Sequence, residues 1–153
     1  FNEKGIGIYK FDLTSGKGGP CSEELFNFAN GMCLSPNADY LYVVESFHPR
    51  ISRLPINDDG SFGKKEIFTE DIATVPDGLA FDKKNNLFIS CYEPSRIYIA
   101  DTKGKTRILI EDKFCTTLAH PTNIALSEDG NIMYTANLGR WHITEIDISS
   151  LYT

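Results

Sequence analysis

The chain contains no apolar run approaching the roughly 18 residues of a membrane span, and no signal-peptide pattern is visible. It lacks the GxSxG elbow of serine hydrolases, the GxxxxGK loop that cradles phosphate and the HExxH pair of zinc peptidases. Its four cysteines (Cys21, Cys33, Cys91 and Cys115) show neither CxxC nor Cys/His spacing, which excludes a zinc finger or ribbon. A cationic excess is also missing: 15 Lys and Arg stand against 21 Asp and Glu, a net charge of −6, which argues against nucleic acid as a partner. Helix-forming stretches and low-complexity tracts are nearly absent. The apolar residues come in short runs separated by Asn, Asp, Gly and Pro, a pattern of strands and turns.

Those runs repeat. One copy reads Asn30-Gly31-Met32-Cys33-Leu34-Ser35-Pro36, then Leu41-Tyr42-Val43-Val44-Glu45, then Arg50-Ile51-Ser52-Arg53-Leu54. The next reads Pro76-Asp77-Gly78-Leu79-Ala80-Phe81-Asp82, then Leu87 to Cys91, then Arg96 to Asp101. A third reads Pro121 to Ser127, then Ile132 to Ala136, then His142 to Asp147. Ile51, Ile97 and Ile143 recur at a spacing of about 46 residues, the period of a β-propeller blade. The spacing predicts an all-β propeller of four-stranded antiparallel blades. The chain divides into a blade remnant over 1–28, blades over 29–75 and 76–120, and an incomplete blade over 121–153. Propellers close with about four to eight blades, so three and a fraction predict part of a ring. Phe1 is not an initiator residue and the pattern starts in mid-blade, which predicts further blades before it.

Within each repeat a short apolar strand leads into a polar hairpin (Pro36 to Asp39, Asp82 to Asn86, Ser127 to Asn131). A nearly continuous apolar second strand follows, as expected where both faces pack against neighbouring blades. Lys65 to Phe68 and Thr106 to Ile110 supply outer strands. In the remnant, Gly7 to Asp12 matches the third strand, Ser15 to Pro20 reads as a flexible turn, and Glu24 to Phe26 aligns as the outer strand. Cys33 falls where Ala80 and Ala125 stand, a small strand position that suits a reduced core thiol. Such cysteine usage is compatible with a reducing compartment, and a cytoplasmic location is expected.

Residues just before the first strand converge on a propeller axis: Asn30, Asp77, and Thr122 with Asn123. Residues leaving the second strand wall the same face: Glu45, Ser46, Phe47 and His48; Tyr92 and Glu93; Asn137 and Leu138. Asn30 and Asp77 share one repeat position, each followed by Gly. Converging oxygen donors suit a hard divalent cation. The same residues serve equally as caps of tight turns, with Gly31 and Gly78 supplying backbone freedom. His48 and His120 lie in loops on this face, where either can orient substrate or act as an acid; His120 precedes Pro121, which predicts an extended backbone. His142, beside Trp141, reads as structural. Glu45 is either a partner to a cation's ligands or a residue emerging into solvent.

Phe28 to Pro36, Leu41 to Ser46, Pro76 to Asp82 and His120-Pro121-Thr122-Asn123 resemble the SMP-30/gluconolactonase/LRE family of six-bladed propellers, which includes regucalcin. Ala136 to Ile143 resembles the end of a bacterial-type lactonase. The resemblance spans nearly the whole chain and maps it to the C-terminal half of the family fold. It implies a divalent metal at the channel mouth (calcium, with zinc, magnesium or manganese as alternatives) held by Asn30 and Asp77. The family's third ligand, a Glu of the first blade, has no counterpart here. It further implies metal-dependent hydrolysis of a sugar-derived or aliphatic lactone, with Asp77 as catalytic base and Tyr92, His48 and Asn137 as the substrate wall. Strictosidine synthase-like propellers share the Phe-Ala-Asn-Gly strand, but Asp77 favours the lactonase side. The other expectations are a non-catalytic propeller that binds a ligand or partner on this face, and self-association of two half-rings. No membrane partner is expected.

Overall fold

The computed structural model of the chain describes residues 7–73 and 75–153. The predicted opening of the blade remnant, Phe1 included, lies outside them. The described residues form strands throughout, with one 3₁₀ turn at Ser149–Leu151. A hairpin of β1 (Tyr9–Asp12) and β2 (Lys17–Pro20) comes first. A four-stranded sheet follows, β3 (Ala29–Leu34), β4 (Tyr40–Glu45), β5 (Arg50–Pro55) and β6 (Glu66–Thr69) in sequence order. The next sheet holds β7 (Pro76–Phe81), β8 (Leu87–Cys91), β9 (Arg96–Ala100) and β10 (Thr106–Glu111). The last holds β11 (Pro121–Leu126), β12 (Ile132–Asn137) and β13 (Ile143–Asp147). All pairings are antiparallel, each strand beside its sequence neighbour, as in a propeller blade, and the sheets do not close a ring.

The remnant differs from expectation. Lys17–Pro20 is a strand rather than a free turn, and it completes the hairpin with β1. The segment Glu24 to Phe26 is reduced to a single β-bridge at Phe26 rather than a run of outer strand. Phe26 is instead driven fully inside, where it packs with Ile8, Leu41, Val43 and Leu54 on the outer face of the first full sheet. Lys65 holds the segment there through its backbone N–H to Glu24 Oε1 (3.1 Å) and its ammonium to the Leu25 carbonyl.

Apolar residues of facing sheets make one core per sheet interface. Tyr42, Val44, Ile51, Leu79, Ile89 and Tyr98 fill the first, and Phe88, Ile97, Leu118, Ile124 and Met133 the second. Strands β4 and β8 are therefore buried on both faces. Strand β12 alternates instead: Met133 and Thr135 are buried, while Tyr134 and Ala136 lie exposed, on a face that no other sheet covers among the described residues. Burial pushes the thiols of Cys33 and Cys91 up to about 12, so both remain protonated core residues. None of the four cysteines is in a disulfide.

The hairpins between first and second strands are built alike. Ser35 Oγ accepts the Tyr40 N–H (3.0 Å), Ser127 Oγ the Ile132 N–H (2.9 Å) and Asp82 Oδ1 the Asn86 N–H (2.8 Å). Each hairpin holds one left-handed residue at the same position: Ala38 (φ 56°), Asn85 (φ 64°) and Gly130 (φ 78°). Alanine is the least suited of the three, because its Cβ crowds the following carbonyl at a cost of about 1 kcal/mol. Ala38→Gly is expected to raise stability by about that amount, read as a higher urea midpoint at unchanged slope.

Candidate functional site

Each innermost strand begins with the same device. A left-handed residue stands immediately before β3, β7 and β11: Phe28 (φ 59°), Val75 (φ 56°) and His120 (φ 52°). Its carbonyl accepts a hydrogen bond from the loop after the second strand, from Ser46 (3.1 Å), Tyr92 (2.9 Å) and Leu138 (3.1 Å) respectively. This bond prolongs the ladder past the strand end and overrides the extended backbone expected of His120 before Pro121. Next comes a break in register, between Ala29 and Met32, between Pro76 and Leu79, and between Pro121 and Asn123. Such bulges re-aim side chains. The bulges carry Asn30 and Asp77.

The glycines that follow do not provide unusual dihedrals, since neither Gly31 nor Gly78 has a positive φ. They allow the inner strands to touch. A Cβ on Gly31 would lie 2.1 Å from the Asp77 carbonyl oxygen, and one on Gly78 would lie 2.6 Å from the Thr122 carbonyl oxygen. Three successive inner strands are thereby brought backbone to backbone, which sets Asn30 beside Asp77.

The two side chains stand side by side. The Asn30 amide donates to Ser46 Oγ (3.2 Å) and lies near enough to the Asp77 carboxylate to favour its charged form. Ser46 is buried and its hydroxyl donates a hydrogen bond to the Pro76 carbonyl (2.7 Å), tying the start of the second sheet to the first sheet's loop. Burial raises the Asp77 carboxyl above its ordinary range, and the Asn30 hydrogen bond opposes that shift. The amide nitrogen of Asn30 is engaged, so Oδ1 is its ligand-capable atom. The resulting donor set is hard oxygen throughout: one desolvated carboxylate and one amide. It suits a calcium-like cation better than a soft metal. Among the described residues no cluster of three or more His, Cys, Asp or Glu is arranged to hold a metal ion. At the equivalent place in the third sheet stand Thr122, whose hydroxyl donates to the Ala136 carbonyl (3.4 Å), and Asn123, whose Oδ1 accepts the next N–H (2.8 Å).

The wall residues separate into three kinds. His48 is exposed at a turn tip, next to Phe47, which stacks on Phe28 at 4.3 Å. Tyr92 stacks on His120 with ring centroids 4.7 Å apart, and its carbonyl lies 2.8 Å from His120 Nδ1. Asn137 is a loop scaffold: Oδ1 accepts the Ala119 N–H (3.0 Å), while Nδ2 donates to the His142 carbonyl (3.1 Å) and Thr144 Oγ1 (2.9 Å). His142 Nε2 lies 2.9 Å from the Thr117 carbonyl, a contact that fits its structural reading.

Glu45 follows neither expectation. It is fully buried, paired with Arg50 through two hydrogen bonds (2.7 and 3.0 Å), and accepts from Ser52 Oγ and the Asn27 N–H (2.6 Å each). Burial alone would raise its carboxyl, but the Arg50 guanidinium, the Asn27 amide and the Ser52 hydroxyl outweigh it and hold the group at about 2. It anchors the loop that carries Phe28 and Asn30. The strand arithmetic points to Glu45, but not to this role, because its partners come from β5 and from a segment outside the repeat.

Sheet topology, the bulged inner strands and the paired oxygen donors define part of a propeller with a candidate polar site at the start of its inner strands. The chain belongs to the SMP-30/Gluconolactonase/LRE-like family, which it matches over residues 2–136. It is 27% identical over 132 residues to a lactonase drp35 of Staphylococcus epidermidis, covering 71% of this chain and 41% of that one. Among solved structures it is similar to a gluconolactonase from Xanthomonas campestris, with a TM-score of 0.71 at 17% identity over 86% of this chain and 41% of that one. It is also similar to a calcium-binding protein, regucalcin, from Agrobacterium tumefaciens, with a TM-score of 0.67 at 19% identity over 89% of this chain and 46% of that one. The chain thus spans about two fifths of the length of the curated relative. At these identities the structural likenesses establish the fold. No described helix is long and apolar enough to cross a membrane.

Proposed function

We propose that the chain contributes the Asn30–Asp77 side of the active site of a metal-dependent lactone hydrolase. The observation that carries this reading is the pair itself: a half-buried carboxylate and an amide set side by side at the start of adjacent inner strands. Burial penalises the Asp77 charge and the Asn30 amide beside it is neutral, a setting in which a bound cation would compensate the carboxylate. Asn30 Oδ1 and the Asp77 carboxylate would hold a divalent ion, calcium by donor type. When bound, the ion supplies Lewis acidity at a lactone carbonyl. Asp77 takes a proton from the attacking water as its oxygen bonds to the carbonyl carbon. Ser46 and Gly78 keep both donors in place, and Tyr92, with His48 and the loop that Asn137 braces, walls the substrate. The family and its lactonase relatives support the reaction class.

Calorimetric titration of chelator-treated protein with calcium tests the cation, and pH-stat assays with glucono-δ-lactone and an aliphatic γ-lactone test the reaction. Calcium binding is expected in the parent protein and lost in Asn30→Ala. Hydrolysis is expected to stop on chelation and return on adding calcium back. Binding without turnover across the lactone panel would instead identify a ligand-binding propeller.

A further inference from the structure

Three left-handed residues rim the start of the inner strands, and of Phe28, Val75 and His120 only the last has a side chain capable of acid–base chemistry. We propose that His120 is the proton donor to the leaving oxygen when the lactone ring opens. The proposal rests on the lactonase reading above and adds a residue to it.

The ring is held on three sides. Nδ1 lies 2.8 Å from the Tyr92 carbonyl oxygen, and Glu93 Oε2 stands 3.4 Å away. Two acceptors at one nitrogen keep the proton on Nδ1 in both charge states, so Nε2 is the nitrogen that gains and loses one. A carboxylate behind an imidazole is also the arrangement that orients a histidine for proton transfer in hydrolases. One flat face lies against the Tyr92 ring. The remaining side is shaped by Gly139, where a Cβ would come within 2.2 Å of His120 Cδ2, so no larger residue fits beside the ring as it stands. The His120 backbone N–H is itself fixed by Ser95 Oγ (2.8 Å). The titratable groups facing the ring are Tyr92 and Glu93, from the loop between β8 and β9. The loop between β12 and β13 contributes Gly139 and the Leu138 N–H.

Placement brings this ring to the same mouth as Asp77. The Tyr92 backbone donates to Val75, two residues before Asp77, and its carbonyl meets His120. The Thr122 backbone, two residues beyond His120, lies against Gly78. Asp77 and His120 thus flank one inner-strand junction. The proton balance is then complete. Water bonds to the carbonyl carbon and loses its proton to Asp77. The ring carbon–oxygen bond breaks, and the departing oxygen takes the Nε2 proton of the imidazolium. Solvent exchange returns the proton from Asp77 to His120.

The test compares two leaving groups. A lactone releases an alkoxide that needs a proton, whereas 4-nitrophenyl acetate releases a phenolate that does not. His120→Gln is expected to lower kcat for lactone hydrolysis about a hundredfold and to leave 4-nitrophenyl acetate hydrolysis within a few fold. Gly139→Ala, which leaves the imidazole in the chain but crowds it, should show the same selectivity in weaker form. Equal losses on both substrates would assign His120 a structural role and overturn the proposal. Absence of lactone turnover in the parent protein would instead overturn the lactonase reading, and this proposal with it.

Discussion

Asp77→Asn is expected to reduce kcat/KM for lactone hydrolysis about a thousandfold, within the range set by loss of a positioned base. Asparagine keeps the size of the side chain and can still pair with Asn30, so the bulge and the Gly31–Gly78 contacts should survive. What disappears is the negative charge, which serves both as the cation's charged donor and as the acceptor of the water proton. Calcium binding should weaken in parallel, which calorimetry on the same samples reads directly. Stability should move the other way. Burial raises the folded carboxyl above its unfolded value, so at neutral pH the charged group opposes folding, and the penalty fades as pH falls through the folded value. The variant should therefore melt at the same temperature as the parent or slightly above it. Such a trade of stability for activity is common where a charge is buried for function. Lactone hydrolysis at parental rates in Asp77→Asn would remove Asp77 from the mechanism.

The largest stability loss is expected at Glu45. Glu45→Gln leaves the Arg50 guanidinium, of which 16% of the side chain is exposed, facing a neutral amide, and breaking a buried pair from one side costs about 3 kcal/mol or more. The pH dependence follows from the sign of the shift. The carboxyl titrates at about 2 when folded and near 4.3 when unfolded, so its contribution is complete above the unfolded value and lost as pH falls toward the folded one. Urea titrations should show the parent losing stability between about pH 5 and pH 2 through this group, whereas that limb is shallower in Glu45→Gln. Glu45→Gln combined with Arg50→Met should recover part of the loss, since the stranded charge is gone. A change below about 0.5 kcal/mol in Glu45→Gln, typical of a surface position, would show that the buried pair does not anchor the loop.

Much of the architecture was legible because strand order within a blade is local. The hairpins at Ser35, Asp82 and Ser127 need only a short polar turn between apolar runs, and their spacing registers Asn30 with Asp77 before any coordinate is known. The same arithmetic misled wherever residues at one repeat position differ in chemistry. Glu45, Cys91 and Asn137 occupy equivalent places opposite Ala29, Pro76 and Pro121, and Glu45 and Asn137 each accept an N–H from the lead-in loop, yet only Glu45 is a carboxylate paired with an arginine. Gly31 and Gly78 read as turn residues because turn glycines are the commoner case. Their actual work is steric and involves the backbone of the next blade. Phe26 shows the opposite failure: its segment aligns with outer strands, but only Phe26 bridges, and its ring packs under β4 and β5.

The sequence by itself determined the all-β blades, their antiparallel order and the two oxygen donors at one repeat position, because these follow from a period and from side-chain types along a single strand. The tertiary structure alone decided that Asn30 and Asp77 stand side by side, that Glu45 is a buried anchor, and that His120 is clamped between Tyr92, Glu93 and Gly139. Each of these joins residues whose meeting depends on how closely one inner strand can approach another or on which loop a side chain turns toward. That approach is set by packing at the glycines and by the left-handed residues before each strand, which no repeat spacing encodes.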